Sequence, residues 1–94
     1  MNIAIVGATG NVGRKILEVL EKKELSIDNL YLLASSRSAG SKINFLGNEH
    51  EVLNLETFDF SKAKITFFAA GGKISEKFAE KAAEHSLVID NSSF

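Results

Sequence analysis

The chain is 94 residues long, 45% hydrophobic and 24% charged. That length holds one small domain, and the composition excludes disorder and a fibrous repeat. Eleven Lys and Arg against 12 Asp and Glu leave a net charge of -1, which argues against a partner with a nucleic-acid backbone, since that task calls for a clustered basic excess.

Cysteine is absent, so the chain carries no disulfide, thiolate metal site or cysteine nucleophile. Its apolar runs fall far short of the roughly 20 residues that cross a bilayer, and no basic stretch precedes the first of them as in a signal peptide. A cytoplasmic domain with no membrane partner is the expectation.

Asn2 to Val6 is a short apolar run ending at Gly7, the pattern of a strand buried on both faces of a parallel sheet. From Asn11 to Lys23 the spacing becomes helical. Val12, Ile16, Val19 and Leu20 form the apolar stripe, Leu17 widens it, and Arg14, Lys15, Glu18 and Glu21 occupy the polar side. Leu30 to Ala34 is a second buried strand, and strand, helix and strand together have the size of a βαβ unit. Between Ser41 and Leu55 a two-stranded excursion turns around Gly47-Asn48. Residues 64–70 form the strongest later strand. Ile74, Phe78 and Ala82 share a helix face with Ala79 and Ala83 beside them, capped by Ser75 or Gly72, and residues 87–90 form a last strand. The alternation predicts an α/β fold: a Rossmann-like parallel sheet with helices on both faces, truncated to a first half plus following strands. The expected spatial order is 30–34, 2–6, 64–70, 87–90, with the excursion outside the second strand.

The chemistry concentrates where strands end. Gly7-Ala8-Thr9-Gly10-Asn11-Val12-Gly13 lies between a strand and an amphipathic helix, the context in which glycines form a phosphate-binding turn. A Cβ at Gly10 would hold a pyrophosphate away, Gly13 lets helix approach sheet, and the N–H groups at the helix start face the anion with the helix dipole behind them. The spacing G-x-x-G-x-x-G is one residue longer than the common dinucleotide pattern. After the second strand, where an NAD-binding domain carries an acidic residue for the ribose, the chain reads Ser35-Ser36-Arg37-Ser38. A guanidinium flanked by hydroxyls suits a 2′-phosphate instead, pointing to NADP. Ala70-Gly71-Gly72 follows the 64–70 strand and faces the first glycine loop across the switch point of the sheet. Asp90-Asn91-Ser92-Ser93 follows the last strand. His50 and His85 have no acidic or nucleophilic neighbour at motif spacing, and the Tyr-x-x-x-Lys pair of short-chain reductases is missing, since Tyr31 is followed by Ser35.

Taken in order, Val6 to Gly13, Leu33 to Gly40 with its Ala-Ser-x-Arg-Ser-x-Gly element, Ala70-Gly71-Gly72 with Ser75, and Val88 to Ser93 resemble the N-terminal part of the bacterial aspartate-semialdehyde dehydrogenase family. The resemblance covers essentially the whole chain. It implies that Thr9, Gly10, Asn11 and Val12 hold the pyrophosphate of NADP, with Gly7 also among the cofactor-binding residues, and that Ser35, Arg37 and Ser38 hold its 2′-phosphate. Gly71, Gly72 and Ser75 would then lie along the cofactor, with Asn91 and Ser92 near its nicotinamide end.

It further implies the family's reaction, in which NADPH reduces L-aspartyl 4-phosphate to L-aspartate 4-semialdehyde with release of phosphate. This is an early step toward lysine, threonine, methionine and diaminopimelate, and it proceeds through a cysteine thioacyl intermediate with help from a histidine and arginines. No catalytic or metal-binding residue of that chemistry has a counterpart here. Residues 1–94 therefore read as an NADP-binding fragment, expected to be inactive alone, to bind NADP weakly and to self-associate as a homodimer or larger species through an uncovered sheet edge. The acyl phosphate substrate would belong to the full-length parent. Two alternatives are a fragment of N-acetyl-γ-glutamyl-phosphate reductase, which shares fold and acyl-phosphate chemistry, and a stand-alone nucleotide-binding module. A third is an extended short-chain reductase or epimerase.

Overall fold

The structure, a computed structural model, describes residues 1–23 and 25–91. Six strands form one sheet, in chain order β1 (Asn2–Val6), β2 (Asn29–Ala34), β3 (Lys42–Phe45), β4 (Asn48–Asn54), β5 (Ile65–Phe68) and β6 (Leu87–Asp90), with helices α1 (Asn11–Lys22) and α2 (Gly72–Ala83). The spatial order is β3-β4-β2-β1-β5-β6, as the sequence predicts. All neighbours are parallel except the β3–β4 hairpin.

Alternation along β1 explains the two-sided core. Ile3 and Ile5 join Leu17 and Leu20 of α1, Leu32, Phe45 and Val52 on one face. Ala4 and Val6 join Leu33, Phe60 and Phe68 and, from α2, Phe78 and Ala82 on the other. Each face thus carries one helix. Between β4 and β5 the second face is covered by two short 3-10 turns, Leu55–Thr57 and Phe60–Lys62, capped by the side chains of Asn54 and Asp59. The bonds that Asp59 accepts from the Ser61 hydroxyl and backbone N–H hold its carboxyl below the usual range.

Four details depart from the sequence reading. The hairpin turns on Leu46 and Gly47, with φ of 51° and 80°, and Asn48 already pairs with Phe45. Positive φ at both central residues is the geometry that follows strand twist, so the turn centre moves one residue toward the N-terminus. The strand expected over 64–70 is the shorter β5, which excludes Lys64, Ala69 and Ala70, although the Ala69 N–H still bonds the Val6 carbonyl at 2.8 Å. Helix α2 is capped by Gly71 at φ 101°, a backbone conformation that favours glycine; Gly72 is its first residue, and Ser75 is buried within it rather than capping it. In α1 the buried stripe is Gly13, Leu17 and Leu20, while Val19 is 47% exposed, because no element among the described residues covers that side of the helix. No described helix is long and apolar enough to cross a membrane.

Candidate functional site

The carboxyl ends of β1, β2 and β5 lie level, since Val6 pairs with Leu33 and with Phe68. Just beyond them opens a cleft of about 300 Å³ lined by Gly7, Thr9, Gly10, Ala34, Ser35, Ser38, Leu55, Ala69, Ala70 and Ile74. This is the switch point of the sheet, where chain connections leave in opposite directions and ligands of open α/β sheets bind.

The glycine loop forms one wall. Gly7 has φ +85°, and a Cβ there would sit 2.7 Å from the Ala70 Cβ, so the first glycine lets the loops after β1 and β5 touch. A Cβ on Gly13 would lie 2.3 Å from the Gly7 carbonyl oxygen; this glycine lets α1 start directly against the loop. At Gly10 the nearest atom would be 3.6 Å away. The fold therefore tolerates a side chain at Gly10, a residue that borders the cleft.

Backbone bonds fix the loop in place. Gly7 and Ala8 donate to the Leu33 carbonyl at 2.8 and 3.2 Å, and Gly10 donates to Gly7 at 3.1 Å. Among the described residues, the N–H groups of Thr9, Asn11, Val12 and Gly13 have no acceptor, and α1 has neither a side-chain cap nor an acidic residue in its first turn. A set of free donors at the positive end of a helix is suited to an anion. None of the residues lining the cleft carries a carboxylate.

The loop after β2 forms the second wall. Ser38 and Ala39 donate to the Ser35 carbonyl, each at 3.0 Å, curling the chain so that Ser35 and Ser38 both line the cleft. Arg37 stands between them, exposed, without a hydrogen bond or ion pair among the described residues. It does not line the cleft in this structure. Leu55, Ala69, Ala70 and Ile74 supply an apolar wall. Leu55 and Ile74 were not legible as site residues, because each fits a helix or turn pattern and only the strand order brings them to the cleft.

The remaining expected residues lie outside the cleft. Gly71 and Gly72 begin α2 beside Ala70. Ser75 is 5% exposed, and its hydroxyl donates to the Asp90 carboxylate, tying α2 to the end of β6. Asn91 borders a separate apolar groove between α1 and Phe67, since β6 is displaced from β1 by a full strand. Ser92 lies outside the described residues. No cluster of three or more metal-ligating side chains occurs among the described residues. His50 packs edge-on against Phe45, centroids 6.2 Å apart, and His85 lies just past α2 at the opposite end of the sheet from the cleft, next to the loop before β5.

The cleft has the make-up of a small-ligand pocket. Its volume lies at the small end of ligand pockets, it offers unpaired donors on one side and hydroxyls on the other, and its remaining wall is apolar. Comparison with known proteins points to one family. The family model described as semialdehyde dehydrogenase, NAD binding domain, matches residues 2–94. The chain is 47% identical over 93 residues to the aspartate-semialdehyde dehydrogenase of Shewanella violacea and 50% identical over 94 residues to that of Legionella pneumophila. These matches cover 98% and 99% of this chain but 28% and 27% of the relatives, so the chain spans little more than a quarter of their length. A crystal structure of aspartate semialdehyde dehydrogenase II from Vibrio cholerae, complexed with ASA, superposes with a TM-score of 0.93 at 50% identity, covering 98% of this chain and 30% of that one. The chain belongs to the semialdehyde dehydrogenase family, of which it forms the NAD-binding domain.

Proposed function

We propose that the cleft holds the adenosine half of NADP and that residues 1–94 are the cofactor-binding domain of an NADP-dependent aspartate-semialdehyde dehydrogenase. The observation that carries this reading is a glycine loop with unpaired N–H groups, of which Thr9 lines the cleft together with Ser35 and Ser38, and a cleft wall without a carboxylate. An NAD-selective site would place an acidic residue at the end of β2; here Ala34 is followed by Ser35. Thr9, Asn11 and Val12 bind the pyrophosphate. The Arg37 guanidinium swings onto the 2′-phosphate, helped by the Ser35 and Ser38 hydroxyls.

The bound cofactor supplies hydride. In the reaction so proposed, L-aspartyl 4-phosphate is reduced to L-aspartate 4-semialdehyde and phosphate is released, in the cytoplasm, on the route to lysine, threonine, methionine and diaminopimelate. This chain holds no cysteine, so the thiolate and the groups that bind the acyl phosphate come from other parts of a longer polypeptide, and residues 1–94 alone are inactive. Gly71, Gly72 and Asn91 then flank the path of the nicotinamide half, and Ser75 acts behind it through Asp90.

Calorimetric titration of the chain with 2′,5′-ADP and with 5′-AMP tests the cofactor assignment. The 2′-phosphorylated ligand is expected to bind at least about tenfold more tightly, as a charge-assisted contact is worth, and Arg37→Ala is expected to abolish that preference. Equal binding of the two ligands would overturn the choice of NADP.

A further inference from the structure

Arg14 belongs to the polar side of α1 by sequence and lies outside the cleft. Its guanidinium nevertheless reaches back along the helix, and Nε donates to the Thr9 carbonyl at 3.3 Å. The other end of the same peptide unit, the Gly10 N–H, donates to the Gly7 carbonyl at 3.1 Å. The Thr9–Gly10 peptide is thus held at both ends, on the loop whose neighbouring N–H groups, Thr9 and Asn11, are unpaired. Arg14 lines the groove between α1 and β3 and not the cleft, so it engages the Thr9 carbonyl from outside the cleft. A carbonyl oxygen turned into the cleft would set partial negative charge against an anion.

Stability alone does not account for an arginine here. A cation near the start of a helix opposes the helix dipole. Glu18 and Glu21 border the same groove, yet Arg14 forms no ion pair with either among the described residues. We infer that Arg14 is a positioning residue, locking the Thr9–Gly10 peptide so that the loop presents donors, and no acceptor, to a pyrophosphate. The inference rests on the nucleotide reading above and adds to it a residue that never touches the ligand.

Two exposed-site variants separate geometry from charge. In Arg14→Gln the side-chain amide nitrogen stands at the same bond distance from Cα as Nε and keeps a donor without the charge. Arg14→Met keeps the length and removes both. Each is titrated calorimetrically with ADP, which carries a pyrophosphate, and with 2′-AMP, which does not, while the Thr9 and Gly10 amide shifts are followed in the ligand-free chain. Arg14→Met is expected to weaken ADP about threefold to tenfold, the worth of one neutral hydrogen bond, and to move both amide signals. Arg14→Gln is expected to stay within about twofold of the parent, and 2′-AMP to bind all three alike. Equal weakening by Gln and Met would make the effect one of charge and overturn the inference, as would Met binding ADP like the parent, or losing 2′-AMP as much as ADP. A parent chain that binds neither ligand would instead remove the nucleotide reading itself, and the inference with it.

Discussion

Gly10 and Gly13 differ by three positions and by what surrounds them, and the difference separates fold from function. A methyl on Gly13 would overlap the Gly7 carbonyl and approach the Ala8 Cα at 2.8 Å, both of them backbone atoms that cannot rotate away. Gly13→Ala is therefore expected to destabilise the chain by about 1–3 kcal/mol, read from urea denaturation as a lower midpoint with unchanged slope. Gly10→Ala meets only ordinary contacts, and as an N-cap change it costs about 0.5 kcal/mol. Because Gly10 borders the cleft, 2′,5′-ADP should bind the variant about tenfold more weakly, the equivalent of one or two lost hydrogen bonds. A Gly10→Ala variant that unfolds as readily as Gly13→Ala would show that both glycines serve packing alone.

Elements whose apolar runs end in glycine were legible from the sequence, because a strand buried on both faces tolerates only apolar residues and the turn after it needs freedom. β1 and the run leading to Gly71 after β5 follow from this rule, while β2 was legible as an apolar run alone and the strand order from the alternation of strands and helices. The hairpin centres one residue earlier than the local signal indicates: Gly47-Asn48 is the stronger turn pair, but the strand register puts Leu46 in the left-handed region. That conformation costs a branched side chain about 1 kcal/mol or more, and Leu46 is 57% exposed, so its side chain returns little by burial. Leu46→Asn is expected to raise stability by about 0.5–1 kcal/mol, measured as a higher thermal midpoint; no gain would mean that Leu46 contacts near Leu25 and Ile27 offset the strain. The 3-10 turns at 55–62 escaped the sequence reading because so short a turn has no period. Their cap residues, Asn54 and Asp59, were the available signal, and Phe58 and Phe60, which seal one sheet face, were hidden with them. Of the cleft, the glycine loop and the serines after β2 were legible, since both adjoin strand ends. Leu55 and Ile74 were not, since they depend on long-range assembly, and Arg14 was hidden by a side chain that folds back on its own loop.

At the scale of the whole molecule, one face of the sheet is covered less well than the other. Val12, Ile16, Val19 and Phe67 line an apolar groove of about 440 Å³. Next to it, Leu87 and Ile89 of β6 are 63% and 38% exposed; they pair in register with Ile65 and Phe67 and so share that face. The outer edge of β6 pairs with no strand among the described residues. An open edge beside apolar surface invites pairing with another chain. Sedimentation velocity is expected to show self-association that grows with concentration and is suppressed by Ile89→Lys; a monomer at millimolar concentration would contradict this.

The function proposed for residues 1–94 depends on where a nucleotide sits. Amide chemical shifts of the chain, followed during titration with NADP, test that most directly. Thr9, Asn11, Val12, Ser35 and Ser38 are expected to move first and furthest. Shifts centred instead on Val19, Phe67 and Ile89, or a loop at residues 7–13 that stays still while the ligand binds, would contradict the assignment of the cleft.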